Sequence, residues 1–257
     1  MVDMTTTLGP MALPNPVMTA SGCAANGQEL HRFFPVSELG AFVTKTVMAQ
    51  PRSGRGTPRM AETASGMLNS IGLQGPGIDA FVEKDLVWLK STGARALVSI
   101  AGNTAEEFGD VAEALAASPA YDAVVGVEVN ISCPNVANRG LVFACDALSA
   151  ERVVALVRER LPGDTPIFPK LTPDVTDIAT AHGAVAQVAV EESMACGVGV
   201  CMTCVMPVTG NDGVTRMVRS CVEGPVFRGD RVRWDAFGDG IGRVPDDALG
   251  APRAGGH

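Results

Sequence analysis

The chain has 257 residues, of which 46% are hydrophobic and 19% are charged, and its formal net charge is -8. This length allows one large α/β domain, or a medium domain followed by a small one. The acidic balance, with no basic cluster larger than Arg52, Arg55 and Arg59, argues against a nucleic-acid partner. We expect a cytoplasmic protein without a membrane span, because no secretory signal and no uncharged apolar run of about 18 residues occurs.

Short apolar runs rich in β-branched residues alternate with helical periodicity in the first two thirds of the chain. The acidic first turns at 103–106 and 149–151 predict two helix starts. Strand, helix and strand in this order predict a parallel sheet with right-handed connections. We predict buried strands over 17–20, 41–44, 96–100, 124–131 and 166–171, and helices over 81–90, 105–117 and 149–161.

Polar residues follow several of these strands, as at Ser21, Lys45, Asn103 and Lys170. In a (β/α)₈ barrel the reactive groups lie at the carboxyl ends of the strands and converge on one mouth, so the pattern favours a barrel. An open doubly wound sheet is the alternative, but the first strand is not followed by a glycine-rich dinucleotide fingerprint. A complete barrel needs eight βα units in about 250 residues, and we find about five. We therefore predict an α/β fold with an incomplete TIM-type barrel.

Four of the seven cysteines form a separate cluster near the C-terminus. Their C-x₄-C-x₂-C-x₁₆-C spacing matches the plant-type [2Fe-2S] pattern, in which one loop supplies three thiolates and a later segment supplies the fourth. A structural zinc site is the competing interpretation, but such sites usually present two close pairs of ligands. The predicted cluster ligands are Cys196, Cys201, Cys204 and Cys221.

The other three cysteines are scattered. Cys133 lies between Ser132 and Pro134 at a predicted strand end, where a deprotonated thiol can serve as a general base. A buried apolar cysteine in a loop is the alternative interpretation of this residue. For Cys23 and Cys145 we expect a packing role.

The cysteine cluster carries a resemblance to a known family. Segment 191–204, together with Cys221-Val222-Glu223-Gly224-Pro225-Val226-Phe227, resembles the C-terminal cluster domain of the electron-transfer subunit of bacterial dihydroorotate dehydrogenase. The resemblance covers about 181–234 and implies a small, mostly β, ferredoxin-like [2Fe-2S] domain. In that family the subunit also carries an upstream FAD- and NAD-binding module, which we do not find in this sequence.

The front part of the chain resembles the catalytic subunit of the NAD-linked (class 1B) dihydroorotate dehydrogenases. The motifs that carry this resemblance are Thr44-Lys45-Thr46, the turn 69–73 and the segment 130–135, and the match extends over about 5–178. It implies oxidation of dihydroorotate to orotate in pyrimidine biosynthesis. In that reaction Cys133 would remove the C5 proton while the C6 hydride passes to N5 of FMN.

The resemblance also implies roles for other residues. Lys170 would stabilise negative charge on the reduced flavin, and Asn135 is a weaker candidate for the substrate site. Electrons would leave through the [2Fe-2S] cluster toward FAD and NAD on a partner electron-transfer subunit. The implied FMN-binding residues are Ser21, Lys45, Thr46, Asn103, Asn130 and Lys170. The implied substrate-binding residues are Lys45, Asn69, Ser70, Ile71, Gly72, Leu73 and Asn130.

These patterns divide the chain into a partial FMN-binding barrel over 1–179, a [2Fe-2S] domain over 180–236 and a flexible tail over 237–257. Three of eight βα units are missing from the predicted barrel, so its edges need cover from the C-terminal domain, an electron-transfer subunit or a homo-oligomer. The alternative function is therefore a non-catalytic [2Fe-2S] electron-transfer or cluster-binding fragment.

Overall fold

The computed structural model describes residues 2–63, 66–132, 137–138, 141–171, 187–189, 200, 204–224, 226–237 and 243–249. The chain folds into two compact units, Met1–Leu171 and Thr172–His257. The domain limits predicted from the sequence stay predictions.

The first unit alternates strands and helices. No helix within the described ranges is both long and apolar enough to span a membrane. The strands are β1 (Thr6–Leu8), β2 (Met11–Leu13), β3 (Phe42–Val43), β4 (Met60–Thr63), β5 (Gly66–Asn69), β6 (Ala96–Ile100), β7 (Val124–Asn130), β8 (Ala137–Asn138), β9 (Leu141–Val142) and β10 (Ile167–Lys170). The helices are α1 (Gln28–His31), α2 (Ile78–Ala80), which continues through a π-turn (Phe81–Asp85) into α3 (Leu86–Ser91), α4 (Ala105–Ala116) and α5 (Ala147–Arg160).

Four strands form a parallel sheet in the order β10-β7-β6-β3. This confirms the predicted α/β class, while closure into a barrel stays a prediction. Four of the five predicted strands are present with small changes at their ends. The strand predicted over 17–20 is wrong, because that segment makes a single parallel bridge, from Met18 to Ala41.

The two long helices begin where a side chain caps the first turn. The Thr104 hydroxyl accepts the backbone N–H of Glu107 at 3.2 Å and so starts α4. Helix α5 begins earlier than predicted, because Asp146 rather than Ser149 is the capping residue. Its carboxylate accepts the N–H of Ser149 at 2.9 Å. Helix α4 packs against both α5 and β6.

One face of the sheet is apolar at its amino end, where the β1–β2 hairpin covers it. Met11 and Leu13 pack with Ala41, and Phe168 joins this cluster. A Cβ atom on Gly126 would lie 3.0 Å from Leu97, 3.1 Å from Phe168 and 3.2 Å from Met11. Glycine at this position of β7 therefore lets the hairpin and the neighbouring strands approach each other.

Among the described residues β10 pairs with a strand on one side, β7. The N–H of Val127 binds the carbonyl of Pro166, and successive residues of a strand direct their N–H groups to alternate sides. This alternation places the nitrogen of the exposed Pro169 on the outer edge. Proline has no N–H, so this edge lacks one donor for a further strand.

The described part of the second unit is mostly β. Strand β11 (Gln187–Ala189) pairs antiparallel with β14 (Val226–Arg228), and β12 (Val205–Thr209) pairs antiparallel with β13 (Thr215–Arg219). Met206, Phe227 and Val232 form its core, and Arg233 pairs with Asp247 at 2.8 Å. A ferredoxin-like topology stays a prediction. Helix α6 (Ser220–Glu223) follows β13.

Candidate functional site

A network of polar side chains lies at the carboxyl ends of the parallel strands, with the buried Thr46 hydroxyl at its centre. Thr46 Oγ1 lies 2.9 Å from Ser21 Oγ and 3.0 Å from Ser99 Oγ. It also accepts a hydrogen bond from Asn130 Nδ2 at 3.1 Å. The network therefore joins three of the predicted FMN-binding residues, Ser21, Thr46 and Asn130.

The network continues to an ion pair. Ser99 Oγ donates to Glu128 Oε1 at 2.7 Å, and Lys170 Nζ donates to the same oxygen at 2.9 Å. The Lys170 side chain is 35% exposed and that of Glu128 is 15% exposed. Solvent therefore screens this pair less than it screens an ion pair on the open surface.

Strand geometry explains why these side chains meet. Side chains alternate between the two faces of a strand, so Glu128 and Asn130 share one face of β7. In the sheet Ser99 lies beside Glu128, and Lys170 lies beside Asn130. The polar side chains thus lie on the same face of the sheet as the apolar layer around Gly126, but nearer to the carboxyl ends of the strands.

Ser99 and Glu128 are two residues of the site that were not predicted from the sequence. Both lie inside apolar runs, which predict buried strands and draw attention to the residues after the strand. The sequence does contain one signal for Glu128. Side chains alternate between the two faces of a strand, so a glutamate two positions before Asn130 shares its face.

Lys45 brings a second cation to this end of the sheet. Its N–H donates to the Ala25 carbonyl at 2.9 Å, and its Nζ lies 3.7 Å from where a Cβ on Gly22 would stand. Within the described part of the chain no carboxylate forms an ion pair with Lys45. Two lysines against one glutamate give the site a positive balance, which suits an anionic ligand.

Two predicted binding elements make contacts outside this network. Asn103 donates from its backbone N–H and from Nδ2 to Glu107 Oε2, at 2.6 and 2.8 Å. The predicted substrate turn, 69–73, follows the β4–β5 hairpin, and Ser70 N–H donates to the Arg59 carbonyl at 2.8 Å. Leu73 has a positive φ of 53°, a conformation uncommon for a residue with a side chain.

The proposed base Cys133 and the weaker candidate Asn135 lie outside the described residues. Their neighbour Ser132 is described, and its hydroxyl donates to Asn130 Oδ1 at 3.3 Å. The chain therefore leaves β7 beside the polar network.

Two of the four predicted cluster ligands are described, and they lie together. The sulfur atoms of Cys204 and Cys221 are 3.2 Å apart, and Cys204 is 1% exposed. A hydrogen bond from the backbone N–H of Cys221 is the largest cause that lowers the pKa of the Cys204 thiol. Two neighbouring sulfurs, one of them buried and bonded to a backbone N–H, fit an iron–sulfur site. Cys196 and Cys201 lie outside the described residues.

Ser220, next to Cys221, is completely buried. Among the described residues its Oγ atom makes no hydrogen bond of ordinary geometry, although the hydroxyl is close enough to Cys204 to help lower the pKa of that thiol. Burying a hydroxyl without a hydrogen-bond partner costs free energy, and a bound group with acceptor atoms would remove that cost. Cys23 and Cys145 are exposed, so the packing role that we expected for them is wrong.

Comparison with known proteins gives two family matches. Residues 3–209 match the family model of dihydroorotate dehydrogenase. Residues 191–233 match the iron–sulfur cluster binding domain of dihydroorotate dehydrogenase B.

Similar curated proteins carry the name dihydroorotate dehydrogenase B (NAD(+)), catalytic subunit. The one from Geotalea uraniireducens is 43% identical over 182 residues, which are 71% of this chain and 58% of the relative. The one from Geobacillus kaustophilus is 43% identical over 177 residues, which are 69% of this chain and 55% of the relative. The chain thus spans a little over half the length of these curated relatives.

A solved structure shows a similar fold. It is the crystal structure of dihydroorotate dehydrogenase (DHODH) in complex with ferulenol from Eimeria tenella, with a TM-score of 0.56 and 15% identity. The match covers 75% of this chain and 60% of that one.

Proposed function

The chain belongs to the dihydroorotate dehydrogenase family, and on that premise we propose that it takes part in flavin-dependent oxidation of dihydroorotate to orotate. The observation that carries the proposal is the polar network at the carboxyl ends of the strands, which includes Lys170 and has Lys45 at the same end of the sheet. It offers hydroxyl and amide groups beside two lysines, which are the groups needed to bind a planar, hydrogen-bonding cofactor that becomes anionic on reduction.

Each residue of the proposed site has a role set by its chemistry. Ser21, Thr46 and Asn130 bind polar atoms of the flavin, and the Lys170 ammonium balances negative charge near it. FMN, when bound, supplies the hydride acceptor. Cys133 accepts the C5 proton of dihydroorotate, a step that requires the thiolate form.

The remaining proposed binding residues contribute at the edge of the site. Lys45 serves both the cofactor and the substrate, because its cationic end lies beside the Ser21–Gly22 turn. Asn103 contributes to FMN binding once its amide leaves Glu107. The turn from Asn69 through Ser70, Ile71 and Gly72 to Leu73 offers backbone and side-chain polar groups to the substrate.

The cysteine cluster provides the proposed electron exit. Cys196, Cys201, Cys204 and Cys221 would hold a [2Fe-2S] cluster, which transfers single electrons. FAD and NAD would be bound by a partner electron-transfer subunit. The contact between Cys204 and Cys221 supports this part of the proposal.

The test uses the full chain, reconstituted anaerobically with FMN, iron and sulfide. We expect flavin and cluster absorbance together, and bleaching of the flavin band when dihydroorotate is added. Replacing Lys170 by Met should weaken flavin binding, whereas Lys84→Met, a change at an exposed lysine, should leave it unchanged. Equal flavin retention by both variants would contradict the assigned site.

A non-catalytic cluster-binding role is the second candidate. It is favoured because the match covers only 58% of the relative's length. Cluster absorbance in protein that never retains FMN would support it. Cys133→Ser separates the two roles, because it should slow flavin reduction and leave the cluster spectrum unchanged. Loss of the cluster in this variant would show that Cys133 belongs to the cluster site.

A further inference from the structure

We propose that Glu128 is a positioning residue for Lys170, which fixes the ammonium group and offsets part of its charge, so that a flavin bound beside it is harder to reduce. The inference rests on the proposed function. It assigns a role at the same site to Glu128, which lies outside the motifs Thr44–Thr46, 69–73 and 130–135.

The geometry shows that Glu128 is the anchor of Lys170. A lysine side chain is a flexible four-carbon stem, and its ammonium is held here by a single carboxylate oxygen, at 2.9 Å. The same oxygen accepts the Ser99 hydroxyl at 2.7 Å. Glu128 is therefore itself fixed by a completely buried serine on the neighbouring strand.

The direction of the hydrogen bonds supports this assignment. Each hydroxyl has one proton, and the Ser99 proton is used toward Glu128. Ser21 donates to Ser99 at 3.3 Å, and the Thr46 hydroxyl lies 3.0 Å from Ser99. Asn130 donates to Thr46 at 3.1 Å. All three donors point toward the carboxylate, and such chains strengthen each bond by polarisation.

Packing alone gives no reason for a carboxylate at this position. A largely buried ion pair loses hydration, and an apolar pair of similar volume is often as stable or more stable. Directly beneath it in the sheet, Gly126 and Leu97 show that the same face accommodates apolar packing. Glu128 therefore contributes charge and orientation at the mouth rather than core volume.

The charge of Glu128 sets the sign of its effect. Lys170 favours the anionic reduced flavin, and a carboxylate at ion-pair distance opposes that field. Glu128→Gln keeps an oxygen that accepts from Ser99 and Lys170 but removes the negative charge. Reduction of the flavin should then become easier.

The first experiment requires no flavin. The chain has four lysines, Lys45, Lys84, Lys90 and Lys170, and limited acetylation with peptide mass spectrometry measures each of them. In Glu128→Gln, acetylation of Lys170 relative to exposed Lys84 should rise about threefold, because a neutral amide oxygen holds the ammonium group at this position more weakly than a carboxylate does. Glu113→Gln, which removes an exposed ion-pair partner of Arg160, is the matched control and should leave Lys170 unchanged. An unchanged Lys170 in Glu128→Gln would overturn the proposal.

The second experiment measures the midpoint potential of bound FMN in the wild type and both variants. We expect the equilibrium constant for two-electron reduction to rise about tenfold in Glu128→Gln, which is about 30 mV. A potential that stays unchanged or falls would overturn the charge-offsetting role, even if acetylation of Lys170 rises. If the wild type retains no FMN, the proposed function fails and the effect on a flavin fails with it, while the acetylation result still decides whether Glu128 fixes Lys170.

Discussion

Thr46 shows how much a single hydroxyl can connect in this site. It contacts Ser21, Ser99 and Asn130, which come from three different parts of the chain. Because Asn130 is buried, its amide needs this acceptor, and the loss of a partner for such a group costs about 1–3 kcal/mol. The residues of the network therefore stabilise the fold and the mouth of the site together.

At the residue scale we predict that Ser220→Ala does not destabilise the cluster-free protein. Within the part of the chain that the structure describes, its buried hydroxyl has no partner at ordinary hydrogen-bond geometry, so removal should be neutral or should raise the free energy of unfolding by about 1 kcal/mol. Denaturant unfolding followed by circular dichroism measures the change.

Ser118→Ala is the matched control for this prediction. The Ser118 hydroxyl is buried but accepts the N–H of Ala120 at 3.2 Å, so its removal should destabilise the protein by about 1 kcal/mol. A similar loss for Ser220→Ala would show that Ser220 has a partner in the cluster-free state.

The residues of the site differ in how far the sequence predicts them. Ser21, Thr46 and Lys170 follow or end apolar runs, where a polar residue stands out. Ser99 and Glu128 lie within such runs, and their role depends on the register of neighbouring strands. Register is set by pairing between distant segments, which local sequence patterns do not contain.

At the element scale Gly126 carries a packing prediction. Gly126→Ala would place a methyl group within 3.0 to 3.2 Å of Leu97, Phe168 and Met11, and overpacking of this kind costs about 1–3 kcal/mol. Gly163→Ala is the matched control, because nothing lies within 4 Å of its added Cβ. Thermal unfolding of both variants tests the difference, and equal midpoints would show that β7 can move away from the hairpin.

The start of α5 carries a pH prediction. The Ser149 side chain and then its N–H lower the pKa of Asp146. A carboxyl whose pKa is lowered on folding stabilises the protein above its unfolded pKa, about 3.9, and this contribution is lost as the pH falls through the folded pKa. The stability of wild type relative to Asp146→Asn should therefore decrease on acidification below about pH 4. Urea unfolding at a series of pH values measures it, and a difference that is independent of pH would contradict the cap.

The presence of most helices and strands was predicted more accurately than the positions at which they begin and end. Strand β6 has the predicted limits, and α4 differs by one residue, because an apolar run or helical period defines each element locally. Segment 17–20 has the composition of a strand but makes one bridge, since the polypeptide turns at Ser21 and Gly22. Helix α5 began at Asp146 rather than Ser149 because both residue types can cap a helix.

At the scale of the whole molecule the outer edge of β10 carries a prediction about self-association. Pro169→Val restores an N–H on that edge, so we expect stronger self-association through strand pairing. Sedimentation velocity over a range of concentrations measures this. Pro162→Val, at an exposed proline outside the strands, is the control and should leave the distribution unchanged. Identical behaviour of the two variants would show that the edge is already covered.

Pro169 also affects how another strand could pair with β10 to close a barrel. A further strand beside β10, from this chain or from another, would have to pair with an edge that lacks one backbone donor. Its attachment would then depend on side-chain packing and on the remaining N–H of Ile167 more than on a continuous ladder. Such a seam would open more easily than the other strand pairs, so solvent deuterium should reach the backbone there first.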